Sequence, residues 1–223
     1  MIPVKYYTAA QTREFDRLAI EQYHIPGFEL MCRAGDATWE ALQSRWPEVK
    51  VLLVFCGTGN NGGDGFVIAS LAKHAGLEAT VILAGDPEKI TGDALKAKQQ
   101  ALADRAPIIQ ASQFNSLEPE PGVTGSTVIV DALLGTGLAG SVREPYQRLI
   151  SLINASALPV ISVDIPSGLC SDTGVILGSA VKADLTVTFI ARKIGMILAQ
   201  GPQYCGDIIF DTLGIPNAIY QEL

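Results

Sequence analysis

Four stretches of the 223-residue chain combine glycines with polar side chains that can bind ligands or transfer protons. They are GTGNNGGDG (57–65), DALLGTGLAGS (131–141), DIPSG (164–168) and ARKIG (191–195). Carboxyl groups such as those of Asp64, Asp131 and Asp164 can act as general acids, as general bases or as ligands of a hard cation. Glycines let the main chain approach a ligand, and backbone amides at the start of a helix can bind a phosphate. These residue types therefore predict a ligand site with acid–base chemistry.

The elements that must position these stretches are short apolar runs that alternate with helical segments. The runs that predict strands are VLLVFC, EATVILAG, APIIQ, STVIVDA, PVISVD, DLTVTFIA and GDIIFD, and the helical segments include FVIASLAKHAG and DALKAKQQALAD. Near-continuous apolar strands alternating with helices indicate a parallel sheet covered on both faces. Because ligands bind beyond the carboxyl ends of such strands, we expect all four stretches to face one crevice.

The rest of the chain is consistent with one α/β domain over residues 1–223. Two helices are predicted before the first strand, in TAAQTREFDRLAIEQYH (8–24) and FELMCRAGDATWEALQSRW (28–46), with a break at Pro26 and Gly27. A connection rich in Ser, Pro and Gly (112–126) is predicted to run over the surface inside the domain.

Composition argues against several classes of protein. A formal net charge of -7 argues against a surface that binds nucleic acid, because such a surface needs clustered Lys and Arg. No apolar run is long enough to span a bilayer, and the first residues lack the apolar core of a signal peptide, so we expect a cytoplasmic protein with no membrane partner. Four widely separated cysteines suggest neither a zinc site nor a disulfide framework.

Two interpretations of the polar residues stay open at this level. Gly57, Gly59 and Gly62 match the G-x-G-x-x-G fingerprint, and Asp86 ends the next strand where a ribose-binding acid would stand, which is typical of a dinucleotide-dependent oxidoreductase. That match leaves the later motifs unexplained. Separately from that match, three side chains in different stretches, Asn61, Asp131 and Ser167, could supply oxygen ligands for a hard cation.

The motifs GTGNNGGDG, VDALLGTGL, DIPSGL and TFIARKIG, preceded by ELMCRAG, together resemble the YjeF N-terminal domain family. The enzymatic members of that family are NAD(P)H-hydrate epimerases, and the resemblance extends from Thr8 to Gly214. It implies a Rossmann-like three-layer αβα sandwich with a mostly parallel sheet, extra N-terminal helices and a homodimer. An alternative use of the same fold is a non-catalytic dinucleotide-binding or dimerising scaffold module.

The activity that the resemblance implies is repair of a damaged cofactor. NADH or NADPH hydrated at C6 of the nicotinamide ring (NADHX and NADPHX) exists as R and S epimers, and a separate ADP- or ATP-dependent dehydratase repairs only the S form. An epimerase makes the R form available to it. By the same resemblance a potassium ion is held by Asn61, Asp131 and Ser167. The implied substrate-binding residues are Asn60, Asn61, Gly62, Gly63, Asp64, Gly135, Thr136, Gly137, Leu138, Ala139, Gly140, Ser141 and Asp164.

The chemistry at C6 suits these residue types. The carbon is a hemiaminal, so its hydroxyl can leave with help from the ring nitrogen, and water can return to the other face. One carboxyl group can serve as proton donor and then as acceptor. We assign this role to Asp164, with Lys193 orienting it and Asp64 as the second candidate. Ring opening to an aldehyde is a second route that the sequence leaves open.

Overall fold

A seven-stranded parallel sheet organises the computed structural model, which describes residues 5–114, 116–117 and 126–222. The strands are, in chain order, β1 (Tyr6–Tyr7), β2 (Val51–Cys56), β3 (Glu78–Leu83), β4 (Ile108–Gln110), β5 (Thr127–Ala132), β6 (Val160–Val163), β7 (Leu185–Phe189), β8 (Arg192–Lys193) and β9 (Asp207–Asp211). The main sheet has the order β4-β3-β2-β5-β6-β7-β9. The seven predicted strands are confirmed, whereas β1 and β8 were not predicted.

Helices cover both faces of this sheet. They are α1 (Ala9–Glu21), α2 (Gly27–Arg45), α3 (Asn60–His74), α4 (Gly92–Ala103), α5 (Tyr146–Ala155) and α6 (Gly201–Tyr204). Because side chains alternate along a strand, Leu52 and Val54 of β2 pack in one apolar cluster with α1 to α4. Phe55 packs in a second cluster with Leu149 and Ile153 of α5. The predicted three-layer αβα sandwich is therefore confirmed.

The strand order places a crevice between β2 and β5. The chain enters the sheet at β2, adds β3 and β4 on one side, and then places β5, β6, β7 and β9 on the other side. Neighbouring connections leave the carboxyl ends of β2 and β5 in opposite directions, which opens a space for a ligand. The first two predicted stretches, 57–65 and 131–141, follow these two strands.

Helix α3 begins earlier than the sequence pattern predicts. Helical spacing is visible from Phe66, but the helix already starts at Asn60 and includes three glycines. A Cβ on Gly62 would lie 2.1 Å from the carbonyl oxygen of Gly57, and one on Gly63 would lie 2.5 Å from Cε of Met31 in α2. Close packing therefore outweighs the helix penalty of glycine, which is about 1 kcal/mol per residue.

The N-terminal segment forms a second, small sheet that the sequence does not reveal. Strand β1 pairs in parallel with β8, with Tyr7 opposite Lys193. The amide of Ala9, at the start of α1, donates to Oδ1 of Asp172 at 2.6 Å. The ring of Phe15 in α1 stacks edge-on against Tyr7, with ring centroids 4.9 Å apart. These contacts fix α1 beside the strand that carries Lys193.

Some sequence-based expectations concern absences or residues outside the described part of the chain. The predicted surface connection falls largely on residues 115 and 118–125, which lie outside it. None of the helices among the described residues has both the length and the apolar character needed to cross a membrane. Within the same ranges no three His, Cys, Asp or Glu side chains converge as a metal site. The four cysteines are unpaired.

Candidate active site

A cleft of about 610 Å³ opens at the carboxyl ends of the central strands. Its volume lies within the range of roughly 300–1,000 Å³ typical of small-molecule sites. Predicted site residues that line it are Asn60, Asn61, Asp64, Gly135, Thr136, Gly137, Leu138, Ala139, Asp164 and Lys193. Side chains of α1 and α2 complete the wall, among them Asp16 and Met31. Residues from all four stretches therefore line one cleft.

Six other predicted residues do not line the cleft. Gly62 and Gly63 are buried within α3, and Gly140 and Ser141 are exposed outside the lining. Asp131 and Ser167 are fully buried near it. Their predicted contacts with substrate or potassium stay predictions.

Lys193 is a fixed cation at the base of the cleft. Its side chain is 0% exposed, and Nζ donates to Oδ1 of Asp164, to Oγ1 of Thr188 at 2.9 Å and to the carbonyl oxygen of Phe189 at 3.0 Å. An ammonium group has three protons to donate, so these bonds use its whole capacity. Lys193 can therefore hold Asp164 in place, but it has no proton left for a ligand.

Asp164 offers the cleft one carboxylate oxygen. Oδ1 accepts from Lys193 and from the amide of Phe189 at 3.3 Å, whereas Oδ2 has no hydrogen-bond partner among the described residues. The side chain is 16% exposed. Its backbone φ of 67° lies in the left-handed region, which costs free energy for a residue with a Cβ and is often found at functional sites. A strained backbone thus holds one anchored oxygen and one free oxygen.

Two further carboxyl groups, on Asp16 and Asp64, line the same cleft. Both are half-buried, and neither forms a hydrogen bond or an ion pair with another described residue. Burial raises the pKa of Asp16 to about 6, with the negative charge of Asp164 adding to the effect and Lys193 opposing it. Burial also raises the pKa of Asp64 well above its usual range, and the charges of Asp164 and Asp16 raise it further. Carboxyl groups this close to one another resist ionising together.

Sequence reasoning missed Asp16. It follows Phe15 on a helix whose other residues include solvated acids and bases, and nothing in the spacing separates it from them. Only the position of α1 reveals it. Thr188 and Ser162, which orient Lys193 and Asp131, were missed for the same reason, since a hydroxyl within an apolar strand has no distinctive pattern.

A buried carboxylate lies beside the cleft at Asp131. It accepts from the hydroxyl of Ser167 at 2.6 Å, the amide of Ser167 at 2.9 Å, the hydroxyl of Ser162 at 2.8 Å and the amide of Leu133 at 3.3 Å. Burial raises the pKa of Asp131, and these hydrogen bonds oppose that rise. None of the described cationic side chains forms an ion pair with it.

Asn61 adjoins this group through the segment that follows β5. The amide of Leu134 donates to Oγ of Ser167 at 2.8 Å, and a Cβ on the next residue, Gly135, would lie 3.4 Å from Oδ1 of Asn61. Nδ2 of Asn61 is buried and has no hydrogen-bond partner in the described part of the chain. The three predicted oxygen ligands, on Asn61, Asp131 and Ser167, therefore all flank residues 133–135.

Asp86, in contrast, does not reach the cleft. Its Oδ1 accepts from the amide of Glu88 at 3.0 Å and caps the short 3₁₀ helix Pro87–Lys89. The acid that the dinucleotide fingerprint requires is thus occupied in a cap, which weighs against the oxidoreductase interpretation.

Comparisons with known proteins identify the family of this chain. Residues 27–195 match the family model described as "YjeF-related protein N-terminus". The chain is 46% identical over 217 residues to the "Bifunctional NAD(P)H-hydrate repair enzyme Nnr" of Coxiella burnetii, covering 97% of this chain and 43% of that protein. It is 34% identical over 217 residues to the "NAD(P)H-hydrate epimerase" of Legionella pneumophila (strain Corby), covering 97% of this chain and 80% of that protein.

A solved structure supports the fold separately. The crystal structure of yeast ynu0, YNL200c, superimposes with a TM-score of 0.82 at 24% identity, covering 98% of this chain and 93% of that one. The chain spans less than half of the length of the bifunctional Coxiella relative. Since the family model matches well over half of the residues and the four motifs meet in one cleft, the chain belongs to the family of YjeF-related protein N-terminal domains.

Proposed function

We propose that this chain is an NAD(P)H-hydrate epimerase, which interconverts the R and S forms of hydrated NADH and NADPH at C6 of the nicotinamide ring. The observation that carries the proposal is the state of Asp164, which lines the cleft and whose Oδ1 is anchored by the buried Lys193, while Oδ2 has no hydrogen-bond partner among the described residues. The names of the Coxiella and Legionella relatives support the same substrate class.

The reaction needs proton transfer and no redox cofactor. When the C6–O bond breaks, the ring nitrogen supplies the electron pair, and the departing hydroxyl takes a proton and leaves as water. Water then adds to the other face and loses a proton, so the oxidation level of C6 is unchanged. Asp164 is placed to exchange that proton through Oδ2, a kind of help worth about 10²- to 10⁴-fold in rate.

The cleft also suits the rest of a dinucleotide. Gly59, which precedes α3, provides no side-chain cap, so the first-turn amides of the helix are available to a phosphate oxygen. Asn60 and residues 135–139 lie beside them. Arg13 of α1 lines the cleft as well and adds a positive charge for the pyrophosphate.

A coupled assay tests the proposal. Pure R hydrate is supplied with an S-specific, ADP- or ATP-dependent dehydratase and its nucleotide, and recovery of reduced cofactor is followed with and without the chain. We expect recovery well above the spontaneous rate. Recovery no faster than in buffer, from a chain that melts cooperatively, would count against the epimerase.

We also propose a potassium ion at Asn61, Asp131 and Ser167. The donor set fits: a buried carboxylate, a hydroxyl and an amide oxygen are the hard ligands that such a cation takes, and the carboxylate has no ion-pair partner among the described residues. Bound there, potassium would supply positive charge that compensates Asp131 and stiffens the adjoining residues 133–135.

Potassium should stabilise the fold apart from any effect on turnover. Thermal unfolding is measured in potassium chloride and in tetramethylammonium chloride at equal ionic strength. Ligand linkage predicts a gain of about 2.7 kcal/mol when the ion is present at about 100 times its Kd. We therefore expect a higher melting temperature in potassium for the wild type and a smaller difference for Ser167→Ala. Equal melting temperatures of the wild type in both salts would contradict the site.

Three further sequence-based expectations stay predictions. They are the homodimer, the cytoplasmic location and the dehydratase as functional partner, which would consume the S epimer that this chain produces. Light scattering of the purified chain tests the first.

A further inference from the structure

We propose that Asp16 is a second catalytic residue, which exchanges a proton with the substrate oxygen in concert with Asp164. The inference rests on the proposed epimerase activity and deepens it. It assigns to helix α1 a role that no sequence motif marks, and it makes the N-terminal segment part of the active site.

The reaction has two proton transfers, one on each face of the ring, and two carboxyl groups can divide them. The hydroxyl leaves from one face of the nicotinamide ring, and water adds to the other. One carboxylic acid gives its proton to the departing hydroxyl, and one carboxylate takes a proton from the incoming water. After one turnover the two groups have exchanged protonation states, which equips the site for the reverse conversion, and no proton or electron is lost.

The surroundings of Asp16 fit one of these two groups. Asp16 lines the cleft, yet it forms no hydrogen bond or ion pair with any other described residue. Leaving a half-buried carboxyl group without a partner costs stability, so packing alone gives no reason for it. Thr12, Arg13 and Ile20 line the cleft from the same face of α1, so the helix presents Asp16 to the cleft as part of a continuous wall.

The part of helix α1 that carries Asp16 is packed against the rest of the fold. The residue before it, Phe15, is fully buried and packs against the ring of Tyr220 with ring centroids 5.2 Å apart. The hydroxyl of Tyr220 donates to the carbonyl oxygen of Ile190 at 2.6 Å, and Ile190 lines the cleft near Lys193. One set of contacts therefore fixes both α1 and the segment that anchors Asp164.

The surroundings of Asp16 favour its protonated form. The ionisable groups that face it are Arg13 on its own helix, Asp64 on α3, Asp164 after β6, Lys193 in β8 and Tyr220 near the C-terminus. Lys193 pairs with Asp164, while burial and the charge of Asp164 raise the pKa of Asp16 to about 6. Burial raises the pKa of Asp64 well above its usual range, so this group is suited to donate a hydrogen bond.

The test compares the wild type with Asp16→Asn and with Glu21→Gln, which removes an exposed carboxylate from the same helix. We expect kcat to fall about 10²-fold or more in Asp16→Asn and to be unchanged in Glu21→Gln. The melting temperature of Asp16→Asn should be equal to or above that of the wild type, because an unpaired carboxyl group has been neutralised.

The pH profile separates a catalytic role from a structural one. The active form carries a proton on Asp16, and this proton is lost as the pH rises through about 6. After subtraction of the spontaneous rate, kcat/KM of the wild type should rise as the pH falls from 8 to 6, and the profile of Asp16→Asn should be flat there.

The outcomes distinguish this inference from the proposed function. A wild type that does not epimerise the hydrate overturns the proposed function itself. An active wild type with unchanged kcat or an unchanged pH profile in Asp16→Asn overturns only the role of Asp16. A loss of activity accompanied by a lower melting temperature would also count against it, because Asp16 would then support the fold.

Discussion

Replacing Asp164 with Asn is expected to lower kcat for epimerisation by about 10²- to 10⁴-fold, because an amide can neither donate nor accept the transferred proton. KM should change little, since Asn keeps the shape and the hydrogen-bonding reach of the side chain. Asn also adopts left-handed backbone readily, so the φ of 67° at this position is not lost. Alanine would lack that advantage.

The measurement is single-turnover conversion of the R hydrate, with Asp207→Asn as the matched control. Asp207 is exposed at the start of β9 and lies outside the cleft, so the same chemical change there should leave turnover unaltered. Turnover of Asp164→Asn within a factor of about two of the wild type would remove Asp164 from the mechanism.

The second large effect concerns stability. In Asp164→Asn the side chain of Lys193, 0% exposed, loses its charged partner. Removing one member of a buried pair typically costs about 3–5 kcal/mol in the free energy of unfolding. The double variant Asp164→Asn/Lys193→Met removes both charges and should recover most of that loss. Lys193→Met alone should cost less than Asp164→Asn, because the remaining carboxylate is 16% exposed to the cleft.

Urea unfolding of the wild type, both single variants and the double variant measures this cycle. The double variant also separates chemistry from folding: it should be nearly as stable as the wild type and still inactive. A double variant that is no more stable than Asp164→Asn would contradict this explanation, because the loss of stability would then not come from leaving Lys193 without its partner.

Much of the fold could be predicted because the apolar strands are continuous and end in polar turns. The apolar run of residues 51–56 ends at Gly57, and that of residues 127–132 ends with the carboxylate of Asp131 and the turn after it. Both strands and their carboxyl ends can therefore be recognised in the sequence. A parallel sheet then places those ends together. The grouping of Asp64, Asp164 and Lys193 in one cleft follows from that rule alone.

What could not be predicted depends on contacts between distant residues. Strands β1 and β8 are two residues long, and their pairing links Tyr7 to Lys193 across most of the chain. Periodicity cannot reveal so short an element. The position of Asp16 depends on that pairing. The start of α3 at Asn60 was hidden because glycine disfavours helices locally, and only the close approach of Gly62 to Gly57 explains it.

Two carboxyl groups of the cleft, on Asp16 and Asp64, argue against a purely structural role for the fold. A scaffold module gains nothing from Asp16 and Asp64, which are half-buried and have no hydrogen-bond or ion-pair partner among the described residues. The charge of Asp164 raises the pKa of both groups, and Asp16 raises that of Asp64 further. Such an arrangement lowers stability, and it is understandable where a proton must be transferred.

The central claim is that this cleft exchanges the C6 hydroxyl of the hydrate with water, and oxygen-18 labelling tests it most directly. The wild-type chain is mixed with R hydrate in oxygen-18 water, and buffer alone gives the background. At early times the epimers are separated, and mass spectrometry measures the oxygen-18 content of each. We predict that the S epimer forms well above the spontaneous rate and carries solvent oxygen at C6. No acceleration over buffer, or an S epimer that retains its original oxygen because the ring opens to an aldehyde, would contradict the claim.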